Sequence, residues 1–221
     1  MNLFAAPFPE GWLIASVVLS CCVLSLALAW LRTRPPAPPL AGALAGATVC
    51  VLAAWLLAGG VREGLSFHLL GAALLTLMGG PAAALVSLAV VIAAVSLAGQ
   101  AGLLAFGPNF LAMACVPVAW VWAVYRFARR RLPANYFVYL FVVAFVGGGS
   151  SLLLASLAAL AQLYLSGAYP AELLLEEALP FYFLLSWSEA FMTGLLAAVL
   201  VVYRPQWVST FDDAHYLGRE D

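Results

Sequence analysis

Ser66-Phe-His-Leu-Leu-Gly-Ala-Ala-Leu-Leu-Thr-Leu-Met78, the break Gly79-Gly-Pro81, and the apolar stretch from Ala82 to Leu97 decide the fold. Residues 66–78 are apolar but short for a membrane crossing, which takes about 20 residues of helix. Gly-Gly-Pro removes an amide donor and two side chains, so it ends one helix and allows another to start at a new angle. A short third span and a fourth span to about Leu97 are therefore expected on either side of it. Working outward, the same apolar character recurs along the chain. The first span is read from about Trp12 to Leu31, stopping at Arg32-Thr-Arg34-Pro-Pro, and the second from about Leu40 to Ala58, ended by Gly59-Gly60. The turn Gly99-Gln-Ala-Gly102 precedes a fifth span, from about Phe110 to Phe127. The sixth runs from about Tyr136 to Tyr164 and is expected to be interrupted by Gly147-Gly-Gly-Ser-Ser151; the seventh runs from about Leu179 to Tyr203. Pro170 to Pro180, with Glu172 and Glu176 four apart among leucines, reads as a short interfacial helix on the outer face.

Composition agrees. Of 221 residues, 66% are apolar and 9% charged, and mean hydropathy is +1.05, whereas a soluble domain carries about 25% charged residues. The fold class is an all-α integral membrane bundle of about seven transmembrane helices. It forms one domain over residues 1–208, followed by a short cytoplasmic polar tail, 209–221. Backbone amides in lipid must bond internally, so helices are the form these runs take. No basic segment precedes the first apolar run, which is expected to stay as a span.

The arginines orient the bundle. With the N-terminus outside, inner segments hold Arg32, Arg34, Arg126, Arg129, Arg130, Arg131, Arg204 and Arg219, and outer segments hold only Arg62. The positive-inside rule then places the C-terminus in the cytoplasm. Trp12, Trp30 and Trp207 fall near the expected interfaces. A net charge of −1 gives no footprint for nucleic acid. Cys21, Cys22, Cys50 and Cys115 lie within apolar stretches without metal-ligand spacing, and read as packing residues.

Polar groups at membrane depth are costly, so each asks for a reason. His68 opens the short third span; its imidazole suits late first-row divalent metals, or else bonds a backbone carbonyl at the interface. Asn109 either caps the fifth span or cross-links helices. Met113, one turn on, is a soft ligand or a packing residue. Glu189 lies about ten residues into the last span with no arginine at its depth, which leaves a coupling role or an interhelical hydrogen bond. The two histidines, His68 and His215, are too few for a catalytic triad or a multi-histidine metal centre. No glycine-rich loop ends in Gly-Lys-Ser/Thr, so ATP would be hydrolysed only by a partner. The chain is not expected to be an enzyme.

Four separated stretches carry a resemblance. Ser66-Phe-His-Leu-Leu-Gly-Ala72 resembles the Ser-Gly-His-Leu-Leu-Gly-Ala motif of the CbiM/NikM proteins, the membrane substrate-capture subunits of energy-coupling-factor transporters for cobalt and nickel. Gly99-Gln-Ala-Gly-Leu-Leu-Ala-Phe-Gly-Pro-Asn-Phe110 is similar to that family's Gly-Asp-Gly-Gly-Leu-Thr-Ala-Leu-Gly-Ala-Asn-Val. Glu189-Ala-Phe-Met-Thr-Gly194 looks like its Glu-Ala-Leu-Val-Thr-Gly, followed here by Arg204-Pro205, and Phe8-Pro-Glu-Gly-Trp-Leu13 is similar to its N-terminal Ile-Pro-Asp-Gly-Phe-Leu. The resemblance implies that the N-terminal segment folds back into a pocket near the outer face. There the family holds its metal with the N-terminal amine, a second-residue histidine and the histidine of the third-span motif. Only His68 matches a family ligand. The other histidine is replaced by Pro7 or by Asn2, depending on alignment; the family aspartate is Gln100, and Ala94 stands at the place of its glutamine. A weaker site from the Met1 amine, Asn2, His68, Asn109 and a water is the expectation, while Glu189, Thr193, Gly71 and Gly194 are assigned to helix packing or coupling.

The leading reading is the substrate-binding and permease subunit of an energy-coupling-factor type ATP-driven importer in the bacterial inner membrane. Its cargo would be a divalent cobalt or nickel ion, with no permanently bound cofactor. Its partners would be a scaffold transmembrane subunit, ATPase subunits and the lipid bilayer, and no nucleic acid. Two alternatives are an organic micronutrient or metal chelate stacked against Phe67, Phe106 or Trp187, and a membrane anchor acting through the tail. The importer reading expects His68 to face an enclosed, outward-opening polar chamber.

Overall fold

A computed structural model describes residues 3–57, 59–62, 65–99 and 102–218. Six helices are long and apolar enough to cross a membrane: α1 (Glu10–Thr33), α2 (Pro38–Leu56), α3 (Ala72–Leu97), α4 (Leu103–Arg131), α5 (Tyr136–Leu165) and α6 (Ala171–Tyr203). A two-stranded antiparallel hairpin, β1 (Gly59–Arg62) and β2 (Leu65–Phe67), joins α2 to α3. A last short helix, α7 (Asp213–Leu217), follows α6. The bundle is an integral membrane protein.

At Gly80, α3 is broken by a backbone conformation of φ 75°, ψ 177° that no helix contains. Glycine alone adopts it readily. The leg from Ala72 to Gly79 runs antiparallel to α2, since Gly71 lies against Val51 and Gly79 against Leu44. From Pro81 the chain turns back to reach Leu97 and the start of α4. The break therefore divides six apolar runs into seven legs, as the Gly-Gly-Pro reading expects. Proline has no N–H to offer the Leu77 carbonyl. That carbonyl instead accepts from the Thr210 hydroxyl at 2.7 Å, and the Met78 carbonyl accepts from the Ser209 N–H at 2.8 Å.

This docking ties the start of the short polar tail, from residue 209, to the bundle. Thr210, Phe211 and Tyr216 are buried; Phe211 and Tyr216 stack on each other, and Tyr139 meets Phe211 edge-on and Tyr216 at a tilt. It also fixes the ends of the bundle. Arg129 near the end of α4 meets Asp212 at 3.9 Å, and Trp207 lines a groove beside Pro38. Arg32, Arg34, Arg126, Arg129, Arg130, Arg131 and Arg204 thus gather at one end. Leu3, His68 and the start of α4 occupy the other half, because α4 spans about 40 Å between its ends.

Three expectations change. The helix of the third leg begins at Ala72 rather than Ser66, because 65–67 pair as a strand and 68–71 run as a loop. Gly147 to Ser151 do not interrupt α5. They let it touch α6: a Cβ on Gly148 would sit 2.9 Å from the Thr193 Cβ, and one on Gly149 would sit 2.8 Å from the Ser186 carbonyl oxygen. Glycine here supplies close approach between helices, a role common in membranes. Pro170 to Pro180 is no separate interfacial helix, since Ala171–Tyr203 is continuous. Its π turn, Leu174–Ala178, directly precedes Pro180, and that of α4, Leu111–Cys115, precedes Pro117. A wider turn is one way to satisfy the carbonyls a proline leaves without a donor.

Candidate functional site

The loop His68 to Gly71 enters the bundle between the hairpin and the short leg, and three side chains from two helices hold the backbone there. Glu189 of α6, 1% exposed, accepts the N–H of Leu70 at 2.9 Å and that of Gly71 at 2.8 Å, one on each carboxyl oxygen. Those amides precede the first turn of α3, where unpaired donors and the positive end of the helix dipole favour an acidic group. Gly71 sits at φ 66°, and a Cβ there would come within 2.5 Å of Val51. From α2, the Trp55 indole donates to the Leu70 carbonyl at 3.2 Å. From α6, the Tyr182 hydroxyl donates to the Ser66 carbonyl at 3.0 Å. With its backbone fixed at both ends, the loop fixes His68.

The His68 ring is 7% exposed and lies 4.3 Å, centroid to centroid, from Trp55. Its Nδ1 is 3.2 Å from the Leu69 carbonyl oxygen. Behind it lies a cavity of about 10 Å³, room for one water-sized sphere, bordered also by Met113, Ser156 and Tyr182 and by the apolar Leu152 and Leu185. The expected outward-opening polar chamber is therefore corrected to a small, largely apolar compartment. Such a space suits a single ion stripped of most of its water. An organic solute needs some 300 Å³ or more. Nor do the aromatic rings invoked for one share a chamber: Phe67 packs on Phe181 and Tyr182, Phe106 on Phe110, and Trp187, half exposed, on Phe145.

Asn109 neither caps a helix nor cross-links two helices; its amide is engaged by the N-terminal segment. Its Oδ1 accepts the Leu3 N–H at 2.8 Å and its Nδ2 donates to the Leu3 carbonyl at 2.9 Å. The amide thus reads the backbone of the N-terminal segment as a neighbouring strand would, and Leu3 is fully buried. Met113, which borders the His68 cavity, lies about one turn further along α4. Gly107 allows this part of α4 to sit against α1: a Cβ there would meet the Val17 nitrogen at 2.6 Å. The clamp is therefore built one turn from the histidine compartment. Met1 and Asn2 lie outside the described residues, as does Gln100. Among the described residues no three His, Cys, Asp or Glu side chains converge.

Glu189 and Gly71 are brought together by a hydrogen bond. Thr193 and Gly194 instead line the α5–α6 contact, Thr193 against Gly148 and Gly194 against Phe145. Sequence reasoning missed Trp55, Tyr182, Ser156 and Leu3. Trp55 alone left a signal, an indole at the end of an apolar run whose N–H needs an acceptor.

Comparison with known proteins adds the family. The family described as CbiM, cobalt uptake substrate-specific transmembrane region, matches residues 4–207. No curated protein sequence matches significantly. A crystal structure of a truncated transition metal transporter superposes with a TM-score of 0.80 at 20% identity, covering 92% of this chain and 99% of that one. A second crystal structure, of a transition metal transporter, gives 0.78 at 21% identity over 90% and 92% of the two chains. At these identities the structures show a shared fold.

Proposed function

This chain belongs to the CbiM family of cobalt-uptake transmembrane regions and is a metal-uptake membrane subunit rather than an enzyme; on that premise we propose that it captures and admits cobalt or nickel for an energy-coupling-factor type importer. The observation that carries the proposal is the ion-sized compartment at His68, whose loop Glu189, Trp55 and Tyr182 hold in place. An imidazole nitrogen is a good donor for late first-row divalent ions. The Met113 sulfur and Ser156 oxygen border the same space. The clamp of Asn109 on Leu3 holds the N-terminal segment about one turn of α4 away from this space. Asn109 then serves as a positioning residue rather than a ligand.

The arginine end faces the cytoplasm in this reading, as the positive-inside rule requires, and His68 faces outward in the bacterial inner membrane. ATP is hydrolysed by partner ATPases, and a scaffold transmembrane subunit passes on the work. Glu189, Thr193, Gly71 and Gly194 tie the loop to the α5–α6 pair, so a movement of that pair reaches the compartment. The test is uptake of labelled cobalt and nickel by cells carrying the wild type or His68→Ala together with the partner subunits. Loss of uptake with normal membrane levels is expected, and unchanged uptake removes the ligand role. Affinity purification of the tagged chain should bring down a scaffold subunit and ATPases; its isolation without either contradicts the importer assignment.

A further inference from the structure

At the arginine end, α4 carries a face that the rest of the bundle leaves open. Trp122, Arg126 and Arg130 are spaced four apart and share that face. Arg129 is engaged, donating to the Tyr125 hydroxyl at 2.9 Å and lying 3.9 Å from Asp212. Among the described residues, the side chains of Arg126, Arg130 and Arg131 have no such partner. Two adjoining hollows meet at this face. One, about 490 Å³, follows the wall of α4 from Ala119 and Ala123 past Phe127 to Arg126 and Arg130. The other, about 550 Å³, extends from the same two arginines to Ser209 and His215. Ala119 and Arg130 are about 16 Å apart along the helix, close to half the thickness of a bilayer's hydrocarbon core.

We propose that this groove is a binding site for an anionic phospholipid, with the phosphate between Arg126 and Arg130 and an acyl chain along Ala119 and Ala123. Two unpaired guanidiniums match a phosphodiester in charge and geometry. Ser209 and His215 offer further donors in the same hollow. Trp122 stands between apolar wall and cationic mouth, the level at which indoles settle in membranes. A free phosphate would use the arginines and leave the exposed alanine wall unexplained. A lipid uses both. The site is independent of the cargo and of His68.

Native mass spectrometry of the delipidated full-length protein in detergent tests this, titrating phosphatidylglycerol, phosphatidylcholine and inorganic phosphate. Phosphatidylglycerol should bind well above phosphatidylcholine. The double variant R126Q/R130Q should weaken it about thirtyfold, about 1 kcal/mol for each arginine. Ala123→Trp, which fills the acyl wall and keeps both arginines, should weaken lipid binding at least tenfold. Equal binding of the two lipids to the wild type, or R126Q/R130Q within twofold of it, overturns the proposal. So does phosphate that displaces the lipid at low millimolar concentration and binds Ala123→Trp undiminished, which would mark a free-anion site. Should R126Q/R130Q fail to fold, Ala123→Trp decides alone, and unchanged phosphatidylglycerol affinity overturns the site.

Discussion

Replacing Glu189 should loosen the His68 loop from 119 residues away in sequence. The carboxyl group accepts two backbone donors, at 2.9 and 2.8 Å, inside the bundle. Glu189→Met keeps the length and apolar stem and removes both acceptors. Each buried N–H left unsatisfied costs about 1–3 kcal/mol. Polar groups in a membrane protein's unfolded state find other partners, however, and measured interhelical hydrogen bonds there average about 0.6 kcal/mol. The two effects together set an expected loss of about 2–4 kcal/mol. For a chain of this size each kcal/mol lowers the melting temperature by about 2–4 °C. Glu189→Gln retains one acceptor but turns an amide donor towards the second N–H, so its loss should be intermediate. Glu189→Asp is one methylene short of both amides and should resemble Glu189→Met. Melting of the detergent-purified proteins, followed by tryptophan fluorescence, gives the ranking, and cobalt titration gives the second readout. Apparent affinity scales with the fraction of molecules whose loop is in place, so binding should weaken in the same order. If Glu189→Met melts within about 1 °C of wild type and binds cobalt equally, the carboxyl does not hold the loop, and the reasoning fails.

Three other variants probe the remaining parts. Asn109→Ala frees the Leu3 backbone from two hydrogen bonds; it should cost about 1–3 kcal/mol in melting experiments and weaken cobalt binding, and unaltered binding would separate the N-terminal segment from the site. Ser156→Val adds a methyl to the cavity of about 10 Å³; metal affinity should fall at least tenfold without loss of thermal stability, and retained affinity would mean the ion sits elsewhere. Gly80→Ala meets no atom within 4 Å of its new Cβ but must adopt φ 75°; a loss of about 1–3 kcal/mol is expected from the backbone alone, and an unchanged melting temperature would argue against the reversal at this residue.

Much of this architecture could be read from the sequence because lipid makes helices obligatory and apolar length diagnostic. The reversal at Gly80 was legible for the same reason, since Pro81 withholds a donor that a helix interior cannot spare. His68, Asn109 and Glu189 stood out as polar groups where polarity is expensive. Their partners did not. Glu189 finds Leu70 and Gly71, and Asn109 finds Leu3, through backbone groups that look alike at every position. The glycines from Gly147 were misread as a break because their role is set by α6, which lies distant in sequence. The docking of Ser209 and Thr210 was not legible, because they serve carbonyls beside Pro81, a need visible only once the fold is closed. The compartment at His68 was expected larger and wetter because a list of polar residues carries no volume.

As a ligand, His68 must touch the cargo. X-ray absorption at the cobalt edge, recorded on cobalt-loaded wild type and on His68→Ala, examines that contact itself. An imidazole in the first coordination shell gives multiple-scattering features that should be present in the wild type and absent or reduced in the variant. Superimposable spectra from the two proteins would place the metal away from His68 and contradict the assignment.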